Sequence, residues 1–117
     1  GVHILEYTKM AVKRICNKAV RRKFEEMDVL VINASHWMSE IGNFLAPRCD
    51  FSAIWYYDHV KQKTKVSLRA FHEGVDVSEV AKKFKGGGHK KAAGFMLDGD
   101  YNIEDIEDIE FEGDTVK

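Results

Sequence analysis

Proline is almost missing from this chain of 117 residues, with Pro47 the single example, and no segment is of low complexity. Cysteine is scarce as well: Cys16 and Cys49 stand far apart and belong to no CxxC pattern. That spacing argues against a disulfide framework or a thiolate metal site, and for free thiols in a reducing compartment. No apolar run approaches the length of a membrane span, and the N-terminus lacks the layout of a signal peptide. Together these absences lead us to expect a cytoplasmic protein. The first residue is Gly1 rather than Met, so we also expect a processed or excised piece.

What remains is the composition of one globular domain, 44% hydrophobic and 32% charged, long enough to bury a core without a disulfide or a structural metal. The net charge of −1 hides a strong asymmetry. Residues 1–23 hold seven Lys/Arg and one acid, residues 61–91 hold nine Lys/Arg and three acids, and residues 98–114 hold nine acids and no base. Basic stretches attract phosphates, although solvated helix faces read the same way, and for the first stretch that plainer reading is preferred.

Hydrophobic periodicity gives the elements. Residues 3–27 read as one helix with a stripe of Leu5, Val12, Ile15, Cys16 and Ala19. The run Val29–Ile32 reads as a buried strand. A helix over 36–46 follows, with Ser35 as its cap and Pro47 as its stop. Residues 51–57 and 65–71 read as an antiparallel strand pair, with Val66, Leu68 and Ala70 on one face and Lys65, Ser67 and Arg69 on the other. A helix capped by Asp76 or Ser78 precedes Gly86-Gly87-Gly88-His89, after which residues 90–93 read as a short helix and 94–97 as a strand. Past Asp98, Ile103, Ile106 and Ile109 favour helical turns, whereas residues 109–112 alternate like a strand. The expected architecture is mixed α/β, a central sheet flanked by helices.

Three successive glycines lose the most entropy on ordering. They suit a backbone that must approach a ligand closely, and unhindered amides at a helix start form an anion nest. His89 adds a donor, and Lys85, Lys90 and Lys91 add positive potential. On chemistry alone, a flexible loop with a surface histidine is an equal alternative. Ser67 and Arg69 share one strand face, and a guanidinium grips phosphate with two parallel N–H bonds, although on the pair alone a solvent-facing sheet surface with no ligand is the preferred reading. The aromatics Trp37, Trp55, Tyr56 and Tyr57 read as packing before they read as base-stacking surfaces.

Val66-Ser67-Leu68-Arg69, Val77-Ser78, Ala81-Lys82-Lys83-Phe84, Gly86-Gly87-Gly88-His89 and Ala92-Ala93-Gly94-Phe95 together resemble the DHHA1 domain, the C-terminal half of DHH-family phosphoesterases such as the nano-RNases. Val29–Asn33 and Ser39-Glu40-Ile41-Gly42-Asn43 resemble it too, and the helix over residues 1–27 resembles the connector from the preceding domain, with the DHHA1-like part over 28–117. The resemblance implies a substrate-binding domain for short oligonucleotides or nucleotides. It implies phosphate contacts from Gly86, Gly87, Gly88 and His89, a phosphate or ribose contact from Arg69 and a weaker one from Ser67. Glu40 and Asn43 also match, but packing and capping explain them equally well.

In the family, two divalent metals, usually manganese, are held by an N-terminal Asp-His-His domain. This sequence has no such motif, since Asp58-His59-Val60 does not match it and the five histidines are scattered. The expectations are therefore no catalytic residue and no metal ligand here, a DHH domain as partner, and a fragment that binds without cleaving. Cyclic-dinucleotide hydrolases, DNA exonucleases and phosphoanhydride hydrolases are alternatives within the family. A tRNA-binding module like that of alanyl-tRNA synthetases is an alternative outside it, and self-association through the stripe of residues 3–27 into a homodimer is a third.

Overall fold

The computed structural model describes the backbone of residues 2–108 and the side chains of 9–105. Its elements run α1 (Val2–Cys16), β1 (Val20–Phe24), β2 (Met27–Asn33), α2 (Met38–Leu45), β3 (Phe51–Asp58), β4 (Lys63–Arg69), α3 (Val77–Lys82), β5 (Gly87–Gly88) and β6 (Ala92–Asp98), with 3-10 turns at Ala46–Arg48 and Ile103–Asp108. One six-stranded sheet carries them in the order β1-β2-β3-β4-β6-β5. Only the β2–β3 pair is parallel, joined through α2. The mixed α/β expectation holds.

A parallel pair with helix on its crossover is covered on both faces, which is why Val29–Ile32 is an unbroken apolar run. Val29 and Val31 enter one core with Phe51, Ala53, Val66, Leu68 and the α3 residues Val77, Val80, Ala81 and Phe84. Leu30 and Ile32 enter a second core with Ile54, Val12 and Cys16 of α1, and Ile41 and Leu45 of α2. The first core is knit by aromatic contacts: Phe84 stacks on Phe95 with centroids 4.3 Å apart, and Phe24 meets Phe51 edge-on at 6.4 Å. The second core takes its sheet residues from β2 and β3 alone, and that limit decides where a site can lie.

The single helix expected over 3–27 is corrected. It ends at Cys16, and Val20–Phe24 is the edge strand β1. The basic run has good helix propensity, but tertiary pairing overrides it. Arg22 faces Val29 and Phe24 faces Met27 across a two-residue turn. Glu25 and Glu26 both take positive φ there, 51° and 72°, the geometry that matches strand twist in tight hairpins. No Asn-Gly or Asp-Gly announced that turn. Along the helical stripe, Val12 and Cys16 are buried against α2 in the second core.

Ser35 does not cap α2. The residue before the helix is Trp37, in the left-handed region, with no side-chain cap bond, while the Ser35 hydroxyl lies 3.2 Å from His36 Nδ1. Asp76 does cap α3, accepting from the Ser78 amide at 3.0 Å, and hydrogen bonding from the Ser78 hydroxyl holds its carboxyl below the ordinary range. The short helix expected over 90–93 is also corrected: Ala92 and Ala93 open β6, pairing with Arg69 and Leu68. Ile103 is fully buried in the first core at the start of the last 3-10 turn. The strand alternative over 109–112 lies outside the described residues. Cys16 and Cys49 are free and buried, and burial pushes the Cys49 thiol up to about 11.

The glycines divide sharply by space. A Cβ on Gly86 would sit 2.2 Å from the Gly94 carbonyl oxygen and 2.8 Å from Phe95 Cα, whereas one on Gly87 would meet nothing within 4 Å. Gly86→Ala is expected to cost about 1–3 kcal/mol through overpacking against the β6 backbone. Gly87→Ala is expected to cost less than about 0.5 kcal/mol. Urea denaturation of both variants checks the contrast, and equal costs would contradict the packing.

Candidate phosphate-binding face

Side chains alternate between faces along a strand, and paired residues on neighbouring strands share a face. The strand register therefore builds this face row by row. Ser52, Arg69 and Ala92 form one row; Ile54, Ser67, Gly94 and Gly87 form the next; Tyr56, Lys65 and Met96 form a third. This is the face of the second core, and α1 and α2 cover its β2–β3 part. Over β4, β6 and β5 it stays open: Met96 is 40% exposed, and Gly87 and His89 are exposed.

His89 joins the first row. Its amide donates to the Ala92 carbonyl at 2.8 Å, and the Ala92 amide donates back at 3.2 Å. Those bonds close the β5–β6 hairpin over Lys90 and Lys91 and continue the pairing of Gly87 with Gly94 and Gly88 with Ala93. The result is a low floor of Ala92 and Gly94. Arg69 and Ser67 bound it on the β4 side, and His89 and Gly87 bound it on the β5 side. Two strand spacings, about 10 Å, separate the boundary backbones, so side chains from both sides can close on a group the size of a phosphate.

Arg69 is held in place from α2. Its Nη2 donates to Ser39 Oγ at 3.0 Å, and its stem passes so close to Gly42 that a Cβ there would lie 2.4 Å from Arg69 Cγ. Below it, the Ser52 hydroxyl bonds the Gly42 carbonyl at 3.2 Å. Among the described residues Arg69 has no carboxylate partner, so its guanidinium, whose stem is packed against Gly42, is met only by the exposed Ser39 hydroxyl. Neither Ser39 nor Gly42 was picked out from the sequence as a site residue. The segment holding them was visible, but nothing in it showed which residue met Arg69. Glu40 and Asn43 are exposed on the same helix, and Asn43 stands four residues on from Ser39, on its side of α2.

The triglycine segment is built differently from the expected nest. It follows the carbonyl end of α3, not the start of a helix. Lys85 takes the left-handed position, φ 66°, and the Gly86 amide donates back to the Ala81 carbonyl at 2.8 Å while the Lys85 amide donates to Lys82 at 3.1 Å. This is a Schellman closure with lysine in the place usually held by glycine. Gly86 is thereby committed to the helix end, and the His89 amide to the hairpin. Antiparallel ladders alternate between bonded and non-bonded pairs. With His89 bonded to Ala92, that alternation turns the Gly88 amide outward along the free edge. Lys91 is also committed: its Nζ donates to the carbonyls of Phe71 and His72 at 3.1 and 2.6 Å.

A second hollow lies at the C-terminal ends of β2 and β3, lined by Asn33, Ser35, Tyr56, Tyr57 and His59 among others. Trp55 packs half-buried against the first core, as expected for a strand aromatic. Among the described residues, no three His, Cys, Asp or Glu side chains gather as a metal site would require.

The sequence pattern of the DHHA1 domain matches residues 26–110. The chain belongs to the DHHA1 domain family. This DHHA1 domain is 36% identical over 89 residues to oligoribonuclease NrnB of Bacillus subtilis, a match covering 74% of the chain and 21% of NrnB. It is 35% identical over 108 residues to a protein of Acanthamoeba polyphaga mimivirus, covering 85% of the chain and 25% of that protein. The chain thus spans a quarter or less of the curated relatives it matches. Among solved structures, a protein of Helicobacter pylori superposes with TM-score 0.61 at 27% identity, covering 96% of the chain and 31% of its own. The pGpG-specific phosphodiesterase PggH of Vibrio superposes with TM-score 0.59 at 17% identity, covering 91% and 37%, a likeness of fold.

Because Gly42 is the gap through which the Arg69 stem passes, Gly42→Ala is expected to leave the domain folded and to move the guanidinium away from Ser39. A crystal structure of the variant checks this; an unchanged Arg69–Ser39 bond would show that the gap is not needed.

Proposed function

We propose that this DHHA1 domain is the substrate-gripping part of a metal-dependent DHH-family phosphodiesterase acting on short oligonucleotides or nucleotides. The observation that carries the reading is the uncompensated Arg69, oriented by Ser39 over a floor of Gly94 and Ala92. A guanidinium with free N–H groups recognises a phosphate bidentately. Ser67 adds a hydroxyl from the neighbouring row, and His89 adds an imidazole from the opposite rim. At the rim the Gly88 amide, turned outward, replaces the row of amides that three glycines suggested. Gly86 supports the grip from behind by seating β5 against β6, and Gly87 keeps the floor bare.

The likeness to NrnB favours short RNA as the ligand. The chemistry in this reading belongs to a DHH domain facing the open side of the sheet. Two divalent metals, manganese in our reading, would supply an activated water there. The residues of this chain bind and orient, and the chain alone does not cleave.

Titration of a fluorescently labelled diribonucleotide into the chain tests this. Arg69→Ala and His89→Ala are each expected to weaken binding about tenfold, with unchanged circular dichroism and with no cleavage when manganese is added. Unchanged affinity in both variants would remove the site from this face, and turnover by the chain alone would contradict the division of labour.

A further inference from the structure

Of the Phe, Tyr and Trp side chains described, Phe71 is the most exposed, at 61%, against 42% for Tyr101 and 38% for Trp37. It stands two residues past Arg69. The Ala70 amide donates to the Lys91 carbonyl at 3.0 Å, which carries the β4–β6 ladder one step beyond the Arg69–Ala92 pair. Ala70 is buried in the first core. The alternation of an extended chain therefore turns Phe71 to the opposite face, that of Arg69, about 7 Å further along. The segment is tied down on both sides. Lys91 Nζ donates to the carbonyls of Phe71 and His72 at 3.1 and 2.6 Å. His72 Nε2 lies 2.9 Å from the Pro47 carbonyl oxygen, and the His72 and Phe71 rings meet edge-on with centroids 5.2 Å apart. A ring whose backbone is fixed and whose surface is open is pre-organised for a flat partner.

We propose that Phe71 is the stacking platform for the nucleobase next to the phosphate held at Arg69. This inference rests on the phosphate-binding face described above and adds a base contact to it. A base is joined to its phosphate through a single sugar, a reach comparable to the step of two residues from Arg69 to Phe71. Stacking reads no hydrogen-bond pattern, because every base has a π-face. The polar neighbours of the ring supply no such pattern either, since Lys91 is committed to backbone carbonyls and His72 to Pro47. The domain then accepts short ligands of any sequence, and its preferences follow stacking strength. Phe71 positions the ligand and takes no part in the chemistry.

Affinity for ApA and for the same diester with both bases removed, measured by calorimetry on the wild-type chain and on Phe71→Ala, Phe71→Trp and Arg69→Ala, separates the possibilities. A dinucleotide carrying 2-aminopurine reports the stack directly through quenching of its fluorescence. Phe71→Ala is expected to weaken ApA about tenfold, to leave the base-free diester as it was and to abolish the quenching. Phe71→Trp keeps both the ApA affinity and the quenching. Arg69→Ala weakens both ligands. If Phe71→Ala keeps ApA affinity and quenching while Arg69→Ala weakens both ligands, the platform is wrong and the phosphate-binding face stands. If Phe71→Ala weakens both ligands equally, the ring acts only by holding the Lys91 hairpin, and the platform is again wrong. If Arg69→Ala changes neither ligand, the face itself is misplaced and the platform falls with it.

Discussion

Everything functional here depends on how far the helices reach across one face of the sheet. The parallel pair β2–β3 needs cover on both sides, and α1 and α2 provide it on the face of Leu30, Ile32 and Ile54. The cover stops at the edge of α2, where Arg69 meets Gly42 and Ser39. Past that line, among the described residues, the sheet is supported from the other side, by α3 and the Phe84–Phe95 stack. A sheet with one face packed and one face open is stable when the open face carries polar or small residues. Those residues here are Lys63, Lys65, Ser67, Arg69, Ala92, Gly94 and Gly87, with Met96 the exposed apolar exception, and the proposed phosphate grip draws on the polar ones among them.

The triglycine segment shows how one motif serves several physical needs. Gly86 is required because β6 backbone occupies the space a side chain would fill, and its amide closes the end of α3. Gly88 is required because its φ of 143° is unfavourable for other residues and a Cβ would lie 2.6 Å from Ala93 Cα. Gly87 has neither constraint; its bareness matters only to whatever approaches the face. Conformation, packing and access are thus divided among three neighbours.

Much of this was legible in the residues. The alternation of 65–71 placed Lys65, Ser67 and Arg69 on one face, and the Val29–Ile32 run marked the doubly covered strand, because period-two and unbroken apolar patterns report burial directly. The hairpin at Glu25–Glu26 was hidden, since charged residues in a turn give no local signal and its geometry is set by pairing with β2. The helix misread at 90–93 has the same origin: Ala92 and Ala93 favour helix locally, but β4 offers them a ladder. Ser39 and Gly42 were invisible for a further reason. Their importance lies in touching Arg69, roughly thirty residues away, and no local pattern encodes that contact.

The central claim is that a nucleotide phosphate settles on the open floor between β4 and β5. Amide chemical-shift mapping by NMR, on adding a dinucleotide to the isotope-labelled chain, tests it most directly. The account predicts the largest shifts at Ser67, Gly87, Gly88, His89 and Gly94. Shifts confined to the hollow of Asn33, Tyr57 and His59, or to α1, with the Gly87–His89 resonances unmoved, would contradict it.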